Sequence, residues 1–361
     1  MHSTDTAGLD LTALAAFLDR AVPGLLAPVL VNAPDADREG AARLSAELIA
    51  GGKSNLTYRA TNGTKVWAVR RPPLGHVLAT AHDMSREYRI LSALAGVGFP
   101  VPRTIALCED TEVIGAPFYL MDFVEGHVYR TAADTAHLGA ERARRITGNL
   151  IETLAALHAT DPGQVGLADF GRPDGYLERQ VRRWKKQLDQ SGERNLPGFA
   201  ELCDRLAAGV PASDPNGGRA AIVHGDYRLD NTIVAEDDSI AAVVDWEMST
   251  LGDPLADLGL MLVYWDEIPG LPREAVNSAV DPAHGFPTGA QVAETYAGIT
   301  GADLTDLPWC VALGCFKLAV IAEGIHLRYS QGQTLGGGFD QIGEMVAPLI
   351  ARGHNILDGG I

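Results

Sequence analysis

The chain has 361 residues, too many for one small core and suited to one large two-lobed domain or to two domains. Hydrophobic residues make up 46% of it, which marks a globular chain, and 29 Lys+Arg against 46 Asp+Glu leave a net charge of −17. That balance disfavours nucleic acid and anionic membrane as partners without naming a substrate. Cys108, Cys203, Cys310 and Cys315 form no C-x-x-C pair and have no His at zinc-site spacing, which argues for reduced thiols and against a metal cluster or disulfide framework.

The N-terminal stretch carries Asp5, Asp10 and Asp19 where a signal peptide needs a basic flank and an unbroken apolar centre. No apolar run elsewhere approaches the roughly 20 residues needed to cross a bilayer, so a soluble cytoplasmic protein is expected. Leu11, Leu14 and Leu18 recur at helical spacing and predict a short helix ending near Pro23–Gly24, with a linker after it, so 1–43 is set apart from the rest of the chain. From Leu44 the period becomes that of strands: Leu44–Ile49, a turn at Gly51–Asn55, Leu56–Thr61, the hairpin dipeptide Asn62–Gly63, and Thr64–Arg71. Alternation places Val66, Ala68 and Arg70 on one face of the last strand and Lys65, Trp67 and Val69 on the other.

Thr80 to Ala95 predicts a helix whose buried stripe is Met84, Tyr88, Leu91 and Leu94. Glu87 lies beside that stripe, and a carboxylate there needs a cation; Arg70 is the natural partner, the alternative being a solvated Glu between Arg86 and Arg89. Thr104–Cys108 and Pro117–Val124 complete a five-stranded unit over 44–124. The run FYLMDFVEG then passes from apolar strand to a glycine-punctuated connection, the pattern of a hinge or of an edge strand. From 125 onward the period is helical. Ile146, Leu150, Leu154 and Leu157 mark one helix, with His158 at its end as a core histidine, and Tyr176–Leu188 forms another. The second helix carries Arg179, Arg182 or Arg183, and Lys186 on one face, either a solvated surface or a dock for an anion.

The densest polar pattern is AIVHGDYRLDNTIVAEDDSIAAVVDWE, Ala221 to Glu247. Strands at Thr232–Ala235 and Ile240–Val244 form a short antiparallel hairpin, so Asn231, before the first, meets Asp245, after the second, at the same open end. Asp226 lies on the loop just before them, five positions ahead of Asn231, the H-x-D-x-x-x-x-N spacing of kinases. Asn231 and Asp245 suit magnesium, a hard cation usually held by one or two carboxylates together with phosphates, and Asp226 suits a base that orients an acceptor hydroxyl. Farther along, Asp253 suits the N-cap of a helix starting at Pro254, and Asp257 a brace on the loop through backbone hydrogen bonds. With phosphoryl transfer in view, Lys53, Ser54 and Asn55 in the Gly51–Asn55 turn are candidates to face phosphates, the alternative being a hairpin turn with no ligand, since the turn is neither G-x-G-x-x-G nor a Walker loop. The Arg70–Glu87 pair then suits the α- and β-phosphates. Backbone groups at Met121–Phe123 suit an adenine edge.

On IVHGDYRLDN followed by VVDWEMSTLGDPLADLG, the chain resembles the aminoglycoside phosphotransferase family over about Leu44 to Tyr329. GYLERQVRRWKKQ and AVRRPP look like the branch related to the kinase-like domain found with acyl-CoA dehydrogenases, whose members are linked to phosphorylating hydroxylated acyl-CoA. The resemblance implies an α+β, two-lobed protein-kinase-like fold with a small antiparallel-sheet lobe carrying one key helix and a larger, mainly helical lobe, the hairpin lying on the floor of the cleft between them. It implies ATP and Mg2+ as cofactors, Asp226 as base, Asn231 and Asp245 as metal ligands, and Glu87 as partner of the phosphate-positioning residue. That residue is commonly Lys in kinases and is Arg70 here, a planar fork in place of a point charge.

The first functional expectation is therefore an ATP- and magnesium-dependent phosphotransferase acting on a small-molecule hydroxyl, with the basic helix tilting the acceptor toward a hydroxyacyl-CoA. An aminoglycoside acceptor is the alternative within the same chemistry. A nucleotide-binding pseudokinase serving as an interaction module is the alternative of another class. The sequence leaves oligomeric state open.

Overall fold

A computed structural model describes residues 7–27, 44–49, 55–74, 83–190, 194, 196–212, 221–272, 278–332 and 341–359. The chain divides into two compact units, Met1–Glu125 and Gly126–Ile361.

In the first unit, α1 (Leu11–Ala21) starts where the Asp10 carboxylate accepts from the Thr12 and Ala13 N–H groups. The strands β1 (Ser45–Leu48), β2 (Leu56–Thr61), β3 (Val66–Arg71), β4 (Thr104–Cys108) and β5 (Phe118–Asp122) form one antiparallel sheet in the order β1-β2-β3-β5-β4. The hairpin at Asn62–Gly63 is set by the Asn62 side chain, which accepts from the Thr64 and Lys65 N–H groups while Gly63 takes φ 86°. Trp67 and Val69 enter one hydrophobic cluster with Leu11, Leu14 and Leu18 of α1. The first helix is thus a layer of the sheet unit, not a segment standing before it. Because alternate residues of β3 point the opposite way, Arg70 faces α2 (Met84–Ala95) on the other side of the sheet. That helix begins at Met84, where Asp83 takes extended backbone and accepts from the Arg86 N–H; the earlier start expected from Thr80 falls on residues outside those described. β5 is an interior strand, which removes the edge-strand reading of FYLMD.

The second unit is mainly helical: α3 (Ala132–Thr135), α4 (Gly139–Ala159), α5 (Tyr176–Gln190), α6 (Phe199–Ala208), α7 (Pro254–Trp265), α8 (Gly289–Thr300), α9 (Leu307–Ser330) and α10 (Val346–Leu357). The expected hairpin is β7 (Thr232–Val234) on β8 (Ile240–Val243), and β6 (Ala221–Val223) pairs antiparallel with β9 (Thr250–Gly252). The second pairing is not anticipated by the sequence pattern. The core is built on α9, which packs against α5, α6, α7 and α10. Gly259 of α7 permits the close approach, since a Cβ there would sit 2.6 Å from the Cys310 backbone. Among the described residues α9 is the one helix long and apolar enough to cross a bilayer, a property its apolar run conceals because Lys317 and Glu323 interrupt it; most of it is buried in this core. All four cysteines are buried and free.

Candidate active site

The first unit holds a guanidinium against a buried carboxylate. Arg70 Nε and Nη2 donate to Glu87 Oε2 and Oε1 at 3.0 and 3.1 Å, a two-pronged pair that only a planar fork can make. The Tyr119 hydroxyl donates to Glu87 Oε2 at 3.3 Å, and Arg70 Nη1 reaches Thr57 Oγ1 at 3.4 Å. Arg70 thus keeps its charge on a rigid strand, with its fork fixed from β2, β5 and α2. Asn55 is buried at the start of β2, whereas Ser54 lies outside the described residues. Met121 sits within the sheet, opposite Ala68 on one side and Thr104 on the other. Phe123 lies just past the strand, its ring 5.5 Å from the Arg59 guanidinium, so the backbone beyond the sheet begins there rather than at Met121.

In the second unit the loop carrying Asp226 is held from four directions. Asp257, near the start of α7, accepts from the His224 N–H at 2.6 Å and the Gly225 N–H at 2.7 Å, while His158 Nε2 approaches it at 3.4 Å. Burial alone would raise the Asp257 carboxyl; the hydrogen bond and charge of His158 and the Gly225 N–H outweigh it and hold the group below the usual range. His158 is completed by the Tyr296 hydroxyl at 2.7 Å, as expected of a core histidine. Gly225 takes φ +84°, and a Cβ there would meet the Met248 carbonyl at 2.6 Å, so the turn requires glycine. The Tyr227 hydroxyl donates to the Leu150 carbonyl at 2.8 Å and ties the loop to α4. His224 Nδ1 accepts from the Asp226 N–H at 3.2 Å, which leaves Nε2 to donate to the Val244 carbonyl at 2.9 Å. One histidine thereby links the Asp226 loop to the hairpin.

The hairpin brings Asn231 and Asp245 to the same end, with the Val244 N–H donating to the Asn231 carbonyl at 2.9 Å. Asn231 Nδ2 donates both to the Asp226 carbonyl at 2.8 Å and to its carboxylate Oδ2 at 3.0 Å. The amide nitrogen is therefore committed to orienting Asp226, and the Asn231 Oδ1 is the atom left for a cation. Asp245 holds φ 68°, ψ 59°, left-handed backbone that a non-glycine residue adopts only where its surroundings enforce it. Trp246 does so here: its indole donates to the Val243 carbonyl at 3.0 Å and its ring lies 4.6 Å from that of His224. An amide oxygen and a carboxylate at one hairpin end are hard donors that fit magnesium, which takes its remaining ligands from water and phosphate.

The opposite end of the hairpin is fastened as well. Asp238, at φ 69°, accepts from Arg142 and Arg145 of α4, and the Asn149 amide donates to its carbonyl.

Three features escape sequence reasoning. Arg228 stacks on Tyr264 at 4.2 Å and pairs with Asp230, whose carboxyl burial pushes up to about 6 despite the guanidinium. Burial raises the Tyr264 phenol, and the nearby charge of Asp226 adds to the rise. Lys317 reaches from α9 to donate to the Gly225 carbonyl. The basic face of α5 is dispersed: Arg179 curls back onto the carbonyls of Asp174 and Arg172, Arg182 pairs with Glu178, Arg183 lies over Trp184, and Lys186 is exposed. Helical spacing places these side chains on a face but says nothing of where flexible guanidinium groups turn.

Known proteins share this architecture. Residues 45–294 match the model of the phosphotransferase enzyme family, APH. Acyl-CoA dehydrogenase family member 11 of Gallus gallus is 34% identical over 325 residues, covering 89% of this chain and 41% of that protein. The chain thus spans less than half the length of the curated relatives it matches. A Ralstonia eutropha protein provisionally named as an aminoglycoside phosphotransferase is 32% identical, with a TM-score of 0.79 over 97% of this chain and 98% of that one. The aminoglycoside phosphotransferase APH(4)-Ia, solved with ADP and hygromycin B, shares the fold at 14% identity and a TM-score of 0.56, covering 88% of this chain and 94% of that one. With the matched region running from the first strand of the sheet unit through the Asp226 loop and the hairpin, the chain belongs to the APH phosphotransferase enzyme family and has its kinase-like fold.

Proposed function

We propose that the chain transfers the γ-phosphoryl group of ATP to a hydroxyl of a small molecule, and that the acceptor is a hydroxyacyl-CoA. The observation that carries the reading is the Asp226 carboxylate, oriented by the Asn231 amide at 3.0 Å on a loop whose backbone is pinned by Asp257. In this reading the acceptor oxygen attacks the γ-phosphorus and the bond to the β–γ bridging oxygen breaks. ADP departs with that electron pair, and the acceptor proton passes to Asp226. Asn231 holds the carboxylate toward the hydroxyl. Magnesium, when bound through Asn231 and Asp245, supplies neutralisation of charge on the phosphate oxygens. Arg70, fixed by Glu87, holds the nucleotide phosphates. The acyl-CoA assignment is supported by the relatives' names.

Incubation with γ-labelled ATP and a series of hydroxyacyl-CoA thioesters of varied hydroxyl position, beside kanamycin, tests the reading. Label on an acyl-CoA hydroxyl is the expected result. Label on kanamycin alone would overturn the acceptor, and no transfer to any hydroxyl would overturn the reaction.

A further inference from the structure

Lys317 interrupts α9 between Phe316 and Leu318, both buried, in a helix that otherwise serves the core. A lysine in such a place is costly unless its ammonium is matched. Its Nζ donates to the Gly225 carbonyl, the residue before Asp226, and lies 5.5 Å from the centre of the Trp184 ring on α5. An ammonium has three N–H donors, and among the described residues no second oxygen accepts from this one. The residue is partly exposed.

The charges facing Lys317 are Asp226 and Asp257 on the attractive side and Arg183 and Arg228 on the repulsive side. Two of these are already answered: Asp257 by two backbone N–H groups and His158, and Arg228 by Asp230 and the Tyr264 ring. What is left is one carboxylate, Asp226, beside the Lys317 ammonium, with the exposed Arg183 guanidinium adding to the positive side. Such a pair is complementary to a molecule that presents a hydroxyl hydrogen to the carboxylate and an oxygen lone pair to the ammonium. A polycationic amino sugar would bring like charge to Lys317.

Resting on the kinase reading above, we propose that Lys317 is a specificity-determining residue whose ammonium receives a carbonyl or carboxylate oxygen of the acceptor near the hydroxyl that faces Asp226. The site then takes hydroxy acids and their thioesters. Burial lowers the Lys317 pKa, with Asp226 and Asp257 opposing the shift.

The test is calorimetric binding of hydroxybutyryl-CoA and of the matching CoA thioether, in which a methylene replaces the carbonyl, to the wild type, Lys317→Met and Lys317→Arg. Thermal melts establish that each variant is folded. The wild type should bind the thioester roughly tenfold or more tightly than the thioether, Lys317→Met should bind the two alike, and Lys317→Arg should keep part of the preference. An equal preference in wild type and Lys317→Met, equal weakening of both ligands, or no binding of the thioester by the wild type would overturn the assignment. A preference that depends on Lys317 without any label transfer from ATP would remove the kinase reading and leave the Lys317 site standing. Transfer without the preference would do the reverse.

Discussion

Glu87 in the first unit and Asp257 in the second are both buried carboxylates, and their surroundings neutralise them differently. Glu87 is met by side chains, the fork of Arg70 and the Tyr119 hydroxyl. Asp257 is met by the backbone N–H groups of His224 and Gly225 at 2.6 and 2.7 Å, with His158 behind it. The first arrangement fixes a mobile charged group while leaving the chain path to the sheet. The second fixes the chain path itself, so the next residue, Asp226, inherits its position from Asp257.

The contrast is broken most severely at Asp257. Replacing it by Asn turns one acceptor into an amide donor facing a backbone N–H. Turnover should fall roughly 100-fold, as a loop shifted by about an ångström would cause, and stability by about 3 kcal/mol, read by steady-state kinetics and urea unfolding. At Glu87 the damage should be smaller and of another kind. Glu87→Gln loosens the Arg70 fork, so the KM for ATP should rise about tenfold with kcat changed less and stability lowered by about 1–2 kcal/mol. An unchanged KM would separate Arg70 from the nucleotide.

Asp238 gives the mildest and most distant probe, because it anchors the hairpin at the end opposite Asn231 and Asp245. Its carboxylate is 2% exposed, and the Arg142 hydrogen bond, aided by Arg145, holds it below its usual range against the effect of burial. A depressed carboxyl contributes stability above its unfolded value of 3.8 and loses it as pH falls through the lower folded value. Asp238→Asn should therefore cost about 1–3 kcal/mol at neutral pH, discounted for two half-exposed arginines, and the difference from wild type should vanish in strong acid. Chemical unfolding across pH reads this, and activity at neutral pH should change little.

Much of the site was legible because its spacing is local. Period-two alternation put Arg70 on the face opposite Trp67, and three- and four-residue spacing put Glu87 beside the buried stripe, so their pairing followed from two short segments. Hairpin geometry likewise brought Asn231 to Asp245. Even the Asp257 brace followed from its place in the first turn of a helix with Pro254 at its start.

What escaped depends on contacts distant in sequence. The pairing of Ala221–Val223 with Thr250–Gly252 joins three-residue strands across the whole hairpin, too short to show a period. Lys317 reaches Gly225 across 92 positions from a helix whose composition announces only core. Asn231 was expected as a metal ligand alone, and the sequence held no sign that its amide nitrogen would also orient Asp226.

Asp226 is assigned to transfer and not to nucleotide binding, and one variant separates the two. With the acceptor found active for the wild type, Asp226→Ala should lose roughly 100- to 10,000-fold in turnover while its equilibrium affinity for ATP stays within about twofold. Full turnover in that variant would contradict the assignment of Asp226 as the group that takes the acceptor proton.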